Sequence, residues 1–313
     1  MMKKVSIMVP CYNEEENVVP MSEALVAQME QLPQYDYEIL FIDNCSQDNT
    51  RPLLREICAK NPKIKAIFNS KNFGQFNSPY HGICQTTGDC TITVCCDFQD
   101  PVDMIPKFLA EWEQGYKIVI GIKTSSKENK LMYFLRSIYY KMIRKLSKVE
   151  QIEHFTGFGL YDKSFVEVLR NLDDSTPFLR GIVAELGPKI KRVEYEQAQR
   201  RAGKTSNNFF SLYDAAMLSF TSYTKIGMRL AQFLGIMMCI GSAIAAIVCL
   251  ILQLSLELFE TGTPAIIMTL VFVGGLQLFF TGFAGEYIMS INTRMMKRPL
   301  VVEEERINFE ENK

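Results

Sequence analysis

Over the first 122 positions, short apolar runs alternate with stretches of helical length and periodicity. Residues 5–10, 37–43, 64–68, 91–97 and 118–122 read as strands, since each run is rich in β-branched, aromatic or small apolar residues. Strands alternating with helices imply βα crossovers, hence an α/β domain with a mostly parallel sheet. Further along the pattern changes. No charged side chain occurs in 230–256 or in 261–285, and each stretch exceeds the roughly 20 residues that a membrane-spanning helix needs. These stretches predict a two-helix hairpin at about 230–254 and 264–288, within 229–293. Residues 207–228 carry aromatics at roughly helical spacing and predict an amphipathic helix lying in the membrane interface. The α/β domain then occupies 1–206, and 294–313 remains as a tail.

Charge sets the orientation of the hairpin. Lys225 and Arg229 precede the first stretch, and Arg294, Lys297 and Arg298 follow the second, whereas the linker holds only Glu257 and Glu260. The positive-inside rule therefore places both termini on the cytoplasmic side. Gly274, Gly275, Gly282 and Gly285 offer small surfaces for close packing, either against the first span or against a second copy in a homo-oligomer. With 48 % hydrophobic residues and a net charge of −1 in 313 residues, the chain is neither disordered nor built to bind nucleic acid. Nine cysteines without C-x-x-C pairing indicate a reducing compartment and no zinc site.

Polar residues gather where the predicted strands end. The first ends in V-P-C-Y-N-E-E-E-N and the second in E-I-L-F-I-D-N-C-S-Q-D-N-T, which places Asp43 and Asn44 at the carboxyl edge of the sheet. The fourth ends in T-I-T-V-C-C-D-F-Q-D-P, with Pro101 expected to stop the strand. Open α/β sheets bind ligands at that edge. The side-chain oxygens of Asp97 and Gln99 suit Mg²⁺ or Mn²⁺ held against a diphosphate. Each motif also has a plainer explanation: Asn13 can cap a helix, and Ser46, Asp48 and Thr50 can be turn residues. A dinucleotide site is not indicated, because no G-x-G-x-x-G follows the first strand. His81 and His154 read as structural, and the glycines of H-F-T-G-F-G-L-Y-D allow close backbone approach. The helix around 131–148 interleaves Arg136, Lys141, Arg144 and Lys145 with aromatics, a pattern suited to anionic head groups.

In order, these motifs, with N-F-G-Q, T-G-D-C-T-I, R-G-I-V-A-E-L-G, R-R-A-G-K-T-S and G-F-A-G-E-Y-I-M-S-I-N-T-R-M-M-K-R-P, resemble glycosyltransferase family 2 over nearly the whole chain. The similarity is to its polyprenyl-phosphate branch. It implies a GT-A fold, a divalent cation, and a nucleotide-sugar donor, by likeness to bacterial two-span relatives a UDP-sugar. It also implies a polyprenyl phosphate acceptor in a bacterial inner membrane, for cell-envelope glycan synthesis. By the same resemblance Pro10, Tyr12, Asn13 and Glu14 flank the nucleobase, and Asp43, with Asn44 beside it, contacts base or ribose. Asp97 and Gln99 hold the metal, Arg200 meets the donor phosphate, and Arg136 meets the lipid phosphate. The chain departs from the pattern at Cys95, where an acid is usual, and also at Asn44 and Gln75. Those losses leave a non-catalytic nucleotide-sugar-binding or assembly subunit as the alternative.

Overall fold

The structure, a computed structural model, describes residues 2–124, 152–202 except 173, 175 and 199, the helix at 263–295, and 298–309; between 203 and 262 only isolated positions are described. Strands β1 (Lys3–Cys11), β2 (Tyr35–Asp43) and β3 (Ile64–Asn69) alternate with helices α1 (Val18–Glu30), α2 (Thr50–Lys60) and α3 (Gly74–Gln85). The chain continues through β4 (Cys90–Thr93), α4 (Met104–Glu113), β5 (Ile118–Lys123), β6 (Phe155–Asp162), α5 (Lys163–Asn171), α6 (Leu179–Leu186) and β7 (Ile190–Tyr195). It ends in α7 (Thr263–Met295) and β8 (Glu303–Ile307). Among the described residues one sheet of eight strands forms, in the order β7-β5-β6-β4-β1-β2-β3-β8.

The sheet is mostly parallel, as expected, with six of its eight strands running one way and two, β6 and β8, running against them. Strands β4, β1, β2 and β3 run parallel, but β6 is antiparallel to both its neighbours, and β8 is antiparallel to β3. Both faces of the central strands are covered, which is why they read as continuous apolar runs. Successive side chains point to opposite faces. Ile7 and Phe41 therefore pack under α1, α2 and α4 with Met21, Leu54 and Phe108, and Met8 and Ile42 pack under α3, α5 and α6 with Tyr80, Phe165 and Ile182.

Register levels the strand ends. Cys11 lies opposite Asp43, and Asp43 opposite Phe68, so β1, β2 and β3 finish in one row. Strand β4 instead stops at Thr93, opposite Met8, well short of the expected end at residue 97. The reason is local: Asp100 Oδ2 accepts from Cys95 N (3.2 Å) and Asp97 Oδ1 accepts from Gln99 N (3.1 Å), so side chains take the N–H groups that a ladder would use. Pro101 therefore does not end the strand. Within the tail, residues 303–307 form an edge strand on β3.

Of the predicted hairpin, the first span lies largely outside the described residues. The second coincides with α7, whose backbone is helical for 33 residues. Several of its side chains are outside the described set, and among the described residues no helix is long and apolar enough to cross a membrane.

Candidate functional site

At each of three strand ends, one non-glycine residue takes a left-handed backbone: Asn13 (φ 56°) after β1, Cys45 (φ 65°) after β2 and Phe98 (φ 59°) after β4. Such residues cost energy unless their surroundings hold them, and they concentrate at functional sites. Here the surroundings are a set of hydrogen bonds between the first two loops. Asn13 N donates to Ser46 Oγ (2.8 Å), Gln47 N to Asn13 Oδ1 (2.8 Å), Glu14 N to Thr50 Oγ1 (2.8 Å) and Asn49 N to Glu15 Oε2 (3.0 Å). The result is a firm platform beside Pro10 and Tyr12. Asn13 also serves these bonds rather than capping a helix.

Asp43 sits beneath this platform and is fully buried. Arg51 Nε donates to its Oδ2 at 2.8 Å, and Ser46 N donates to the same carboxylate at 3.1 Å. In this structure, then, the carboxylate expected to face base or ribose organises the second loop. Asn44 is likewise committed: its Nδ2 donates to Asn72 Oδ1 (2.9 Å) and its Oδ1 accepts from Phe73 N (2.9 Å), so it shapes the N-F-G-Q turn.

The turn after β4 carries the remaining acids. Asp97 is 5 % exposed, and its Oδ2 lies 2.8 Å from Arg200 Nη2. Arg201 N donates to the Asp97 carbonyl (3.3 Å), its guanidinium lies over the Phe98 ring, and Asn17 Nδ2 donates to the Ala202 carbonyl (3.3 Å). Residues 200–202 thus dock on the turn. The same Asn17 amide donates to Glu14 Oε2 (2.6 Å). Burial raises the Glu14 carboxyl above the usual range, Asn17 and Arg200 oppose this, and Asp97 adds to it. Two carboxylates therefore share the field of one guanidinium, a spot where a further positive charge is favoured.

Asp100 is 3 % exposed and takes a hydrogen bond from Tyr195 Oη (3.0 Å) besides that from Cys95 N. Burial raises its carboxyl, against those bonds. It fixes the turn rather than facing a ligand. Beyond Tyr195 a cavity of about 360 Å³ opens between Pro101, Asp103 and Lys107 on one side and Thr124, Glu194 and Glu196 on the other.

The structure thus brings Glu14, Asp97 and Arg200 together, with Gln99 on the same turn and Pro10, Tyr12 and Asn13 at the neighbouring strand end. Arg136 lies outside the described residues. His81 pairs with Glu303 at 2.5 Å, and Gly159 is a contact glycine, since a Cβ there would meet the Val119 carbonyl at 2.5 Å. Arg51, Asn17 and Tyr195 were not foreseen. Only Asn17, three residues after Glu14, had a local signal. Among the described residues no group of three or more His, Cys, Asp or Glu is placed to hold a metal. One carboxylate and one amide oxygen fit a divalent cation that arrives with a diphosphate, because Mg²⁺ is commonly held by one or two carboxylates plus substrate phosphates.

Residues 6–186 match the family described as "Glycosyl transferase family 2". The chain is 29 % identical over 300 residues to the "Prophage bactoprenol glucosyl transferase homolog" of Escherichia coli K12, covering 95 % of this chain and 97 % of that one. It is 29 % identical over 297 residues to the "Bactoprenol glucosyl transferase" of Shigella phage SfX, covering 95 % and 97 %. Among solved structures, glucosyl-3-phosphoglycerate synthase from Mycobacterium tuberculosis in complex with phosphoglyceric acid superimposes with a TM-score of 0.52 at 14 % identity. That match covers 70 % of this chain and 78 % of the other and shows a shared GT-A, Rossmann-like fold.

Proposed function

The chain belongs to glycosyltransferase family 2 and is a glycosyltransferase, and from that premise we propose that it moves a sugar from a UDP-sugar to a polyprenyl phosphate at the cytoplasmic face of a bacterial inner membrane. The observation that carries the donor half is the Arg200–Asp97 pair at 2.8 Å, at the carboxyl edge of the sheet beside Glu14. The names of the relatives, bactoprenol glucosyl transferases, support the acceptor half.

In this reading Pro10, Tyr12 and Asn13 border the nucleobase, and Asp97 and Gln99 hold Mg²⁺ or Mn²⁺ against the diphosphate. The cation supplies charge neutralisation at the leaving group. Arg200 stands within reach of the same phosphates and stabilises the charge that develops as the sugar departs. The polar cavity by Asp103, Lys107 and Glu194 has room for hydroxyl-rich parts of a substrate. A lipid phosphate is already mostly ionised at neutral pH, its second pKa being about 6, so alignment rather than proton removal is what its attack requires.

Support for a membrane hairpin comes from α7, whose 33 residues span about 50 Å at 1.5 Å per residue, against a hydrocarbon core of about 30 Å. Ile266, Leu270 and Val273 on it are exposed, as are Phe233, Met237, Ile240 and Ile244. So much exposed apolar surface on helical positions is suited to lipid. Arg136, which lies outside the described residues, is the residue we assign to the lipid phosphate on the strength of the family resemblance.

The test is a panel of UDP- and GDP-sugars offered with undecaprenyl phosphate, scored by label extracted into lipid. Label on lipid from a UDP-sugar is the expected result. Label on a soluble glycan, with none on lipid for any donor, would overturn the proposal.

A further inference from the structure

The strand that follows α7 returns to the α/β domain and carries three acidic residues to three bases. Glu303 meets His81 (2.5 Å), Glu304 meets Arg51 (3.0 Å) and Glu305 meets Arg55 (2.6 Å). The Arg55–Glu305 pair is well exposed on both sides, and such pairs contribute little. Arg51 is different. Only 17 % of its side chain is exposed, and its guanidinium divides three ways: Nε to Asp43 Oδ2 (2.8 Å), Nη2 to the Asn69 carbonyl (2.7 Å) and Nη1 to Glu304 Oε2 (3.0 Å). A planar fork with three fixed partners cannot turn without breaking one of them.

What that fork holds is the root of the platform described above. Asp43 accepts from Ser46 N, and Ser46 Oγ accepts from Asn13 N. A continuous path therefore runs from Glu304 through Arg51, Asp43 and Ser46 to Asn13, from the end of the chain to the loop after β1. Strand β8 is itself secured independently: it pairs with β3, and Asn308 Nδ2 donates to the carbonyls of Cys58 (2.7 Å) and Ile64 (2.8 Å). Loss of the Glu304 carboxylate alone thus leaves the strand docked.

We propose that Arg51 is a positioning residue for the nucleotide end of the site, held in place by Glu304, so that the strand after the last helix is a working part of the donor site. The inference rests on the reading that the nucleotide binds at the ends of β1 and β2. It predicts an effect on donor affinity rather than on turnover, because Arg51 lies behind the platform, whereas Arg200, docked on the turn after β4, is the group assigned to the diphosphate.

The test uses the full chain in detergent, with nucleotide affinity measured by calorimetry for UDP and, in parallel, GDP, and with donor KM and kcat. Arg51→Ala, Arg51→Lys, Glu304→Ala, Glu304→Gln, the Arg51→Ala/Glu304→Ala double variant and Asp43→Asn are compared, and melting curves confirm folding. Glu304→Ala is expected to weaken nucleotide affinity and raise donor KM about 2- to 5-fold, the effect of losing an ion pair whose carboxylate is half exposed, while kcat at saturating donor holds. Glu304→Gln, which keeps an acceptor, recovers part of the loss. The double variant binds no worse than Arg51→Ala alone, as expected of residues acting through one path. Wild-type affinity in Glu304→Ala, additive losses in the double variant, or a fall in kcat with KM unchanged would each overturn the proposal. Should Arg51→Ala fail to fold, Arg51→Lys takes its place in the cycle. Unchanged affinity in Asp43→Asn would also overturn the proposal, since Asp43 joins Arg51 to Ser46, whereas no nucleotide binding by the wild type instead removes the nucleotide reading on which the proposal stands.

Discussion

Replacing Asp97 by alanine separates a structural loss from a chemical one. The carboxylate is nearly enclosed, with 7 % of the side chain exposed, whereas its partner Arg200 keeps 28 %. Breaking an enclosed ion pair costs about 3–5 kcal/mol when the remaining charge is trapped, and an exposed pair is worth about 0–1 kcal/mol. Arg200 can turn to water once Asp97 is gone, so the cost falls between these, at about 1–2 kcal/mol. For a domain of this size that lowers Tm by about 2–8 °C, and the fold survives. Transfer should fall much further. An electrostatic contact made at the leaving group is worth about 3–4 kcal/mol, or 10²–10³ in rate. Asp97→Asn sharpens the comparison, because its amide oxygen still accepts from Gln99 N and its melting point should stay near wild type while transfer is lost. The assay pairs thermal melting with lipid-extractable label at saturating donor and Mn²⁺. Transfer by either variant within about threefold of wild type, a difference of about 0.6 kcal/mol, refutes the reasoning.

Acid should loosen the domain through Glu38. Burial alone would raise its carboxyl, but Lys4, Ser6, Lys65 and the Thr87 N–H bring it from 4.5 down to about 2. A folded value below the unfolded one gives stability that is full above pH 4.5 and lost as pH falls towards 2, so urea midpoints should drop across that window and flatten there in Glu38→Gln. Gly88→Ala should lose about 1–3 kcal/mol in the same assay, because its Cβ would meet Ser6 Oγ at 2.6 Å and the Lys4 carbonyl at 2.7 Å; an unchanged midpoint contradicts that packing. For topology, Glu260→Cys in a chain without other reactive thiols should react with an impermeant maleimide from outside sealed cells, and reaction from the cytoplasm only would rule out the hairpin.

The central strands were legible because they are covered on both faces, so β1, β2 and β3 appear as largely apolar runs, broken only by Ser6, Glu38 and Lys65 before their closing residues, within two residues of their true limits. The end of β4 was not. T-I-T-V-C-C consists of residues that suit a strand throughout, and what stops the ladder is a pair of carboxylates beyond it, one of them anchored by Tyr195 nearly a hundred positions away. In H-F-T-G-F-G-L-Y-D the glycines signalled close backbone approach, and what approaches Gly159 is the Val119 carbonyl, a partner that the local sequence does not name. Strand β8, E-E-E-R-I, has the composition of a solvated tail. Its acids become partners only once the fold brings Arg51, Arg55 and His81 alongside, across more than 220 positions of sequence.

The site followed the same division. Asp97, Gln99 and Glu14 could be picked out because strand ends in open α/β sheets converge by topology, whereas Arg200 was implied only by the family resemblance of R-R-A-G-K-T-S. Their second-row supports could not, since Arg51, Asn17 and Tyr195 act through contacts that no local spacing encodes.

The structure also bears on the acid that Cys95 replaces. A hydroxyl acceptor would need a carboxylate base within reach of its proton. The carboxylates that end β2 and follow β4 already have other tasks. Asp97 faces Arg200, Asp100 is buried under Tyr195 and the Cys95 N–H, and Asp43 is closed off by Arg51. Glu14 is the one with its carboxyl raised and only half buried, but its oxygen is engaged by Asn17, which also holds Ala202 in place. An enzyme whose acceptor must be deprotonated would be poorly served by this distribution. One whose acceptor arrives as a phosphate anion needs no such base, and under the proposed reading Arg200 and Asp97 serve the leaving diphosphate. The absence of an acid at position 95 therefore fits the proposed transfer to an acceptor that carries its own negative charge.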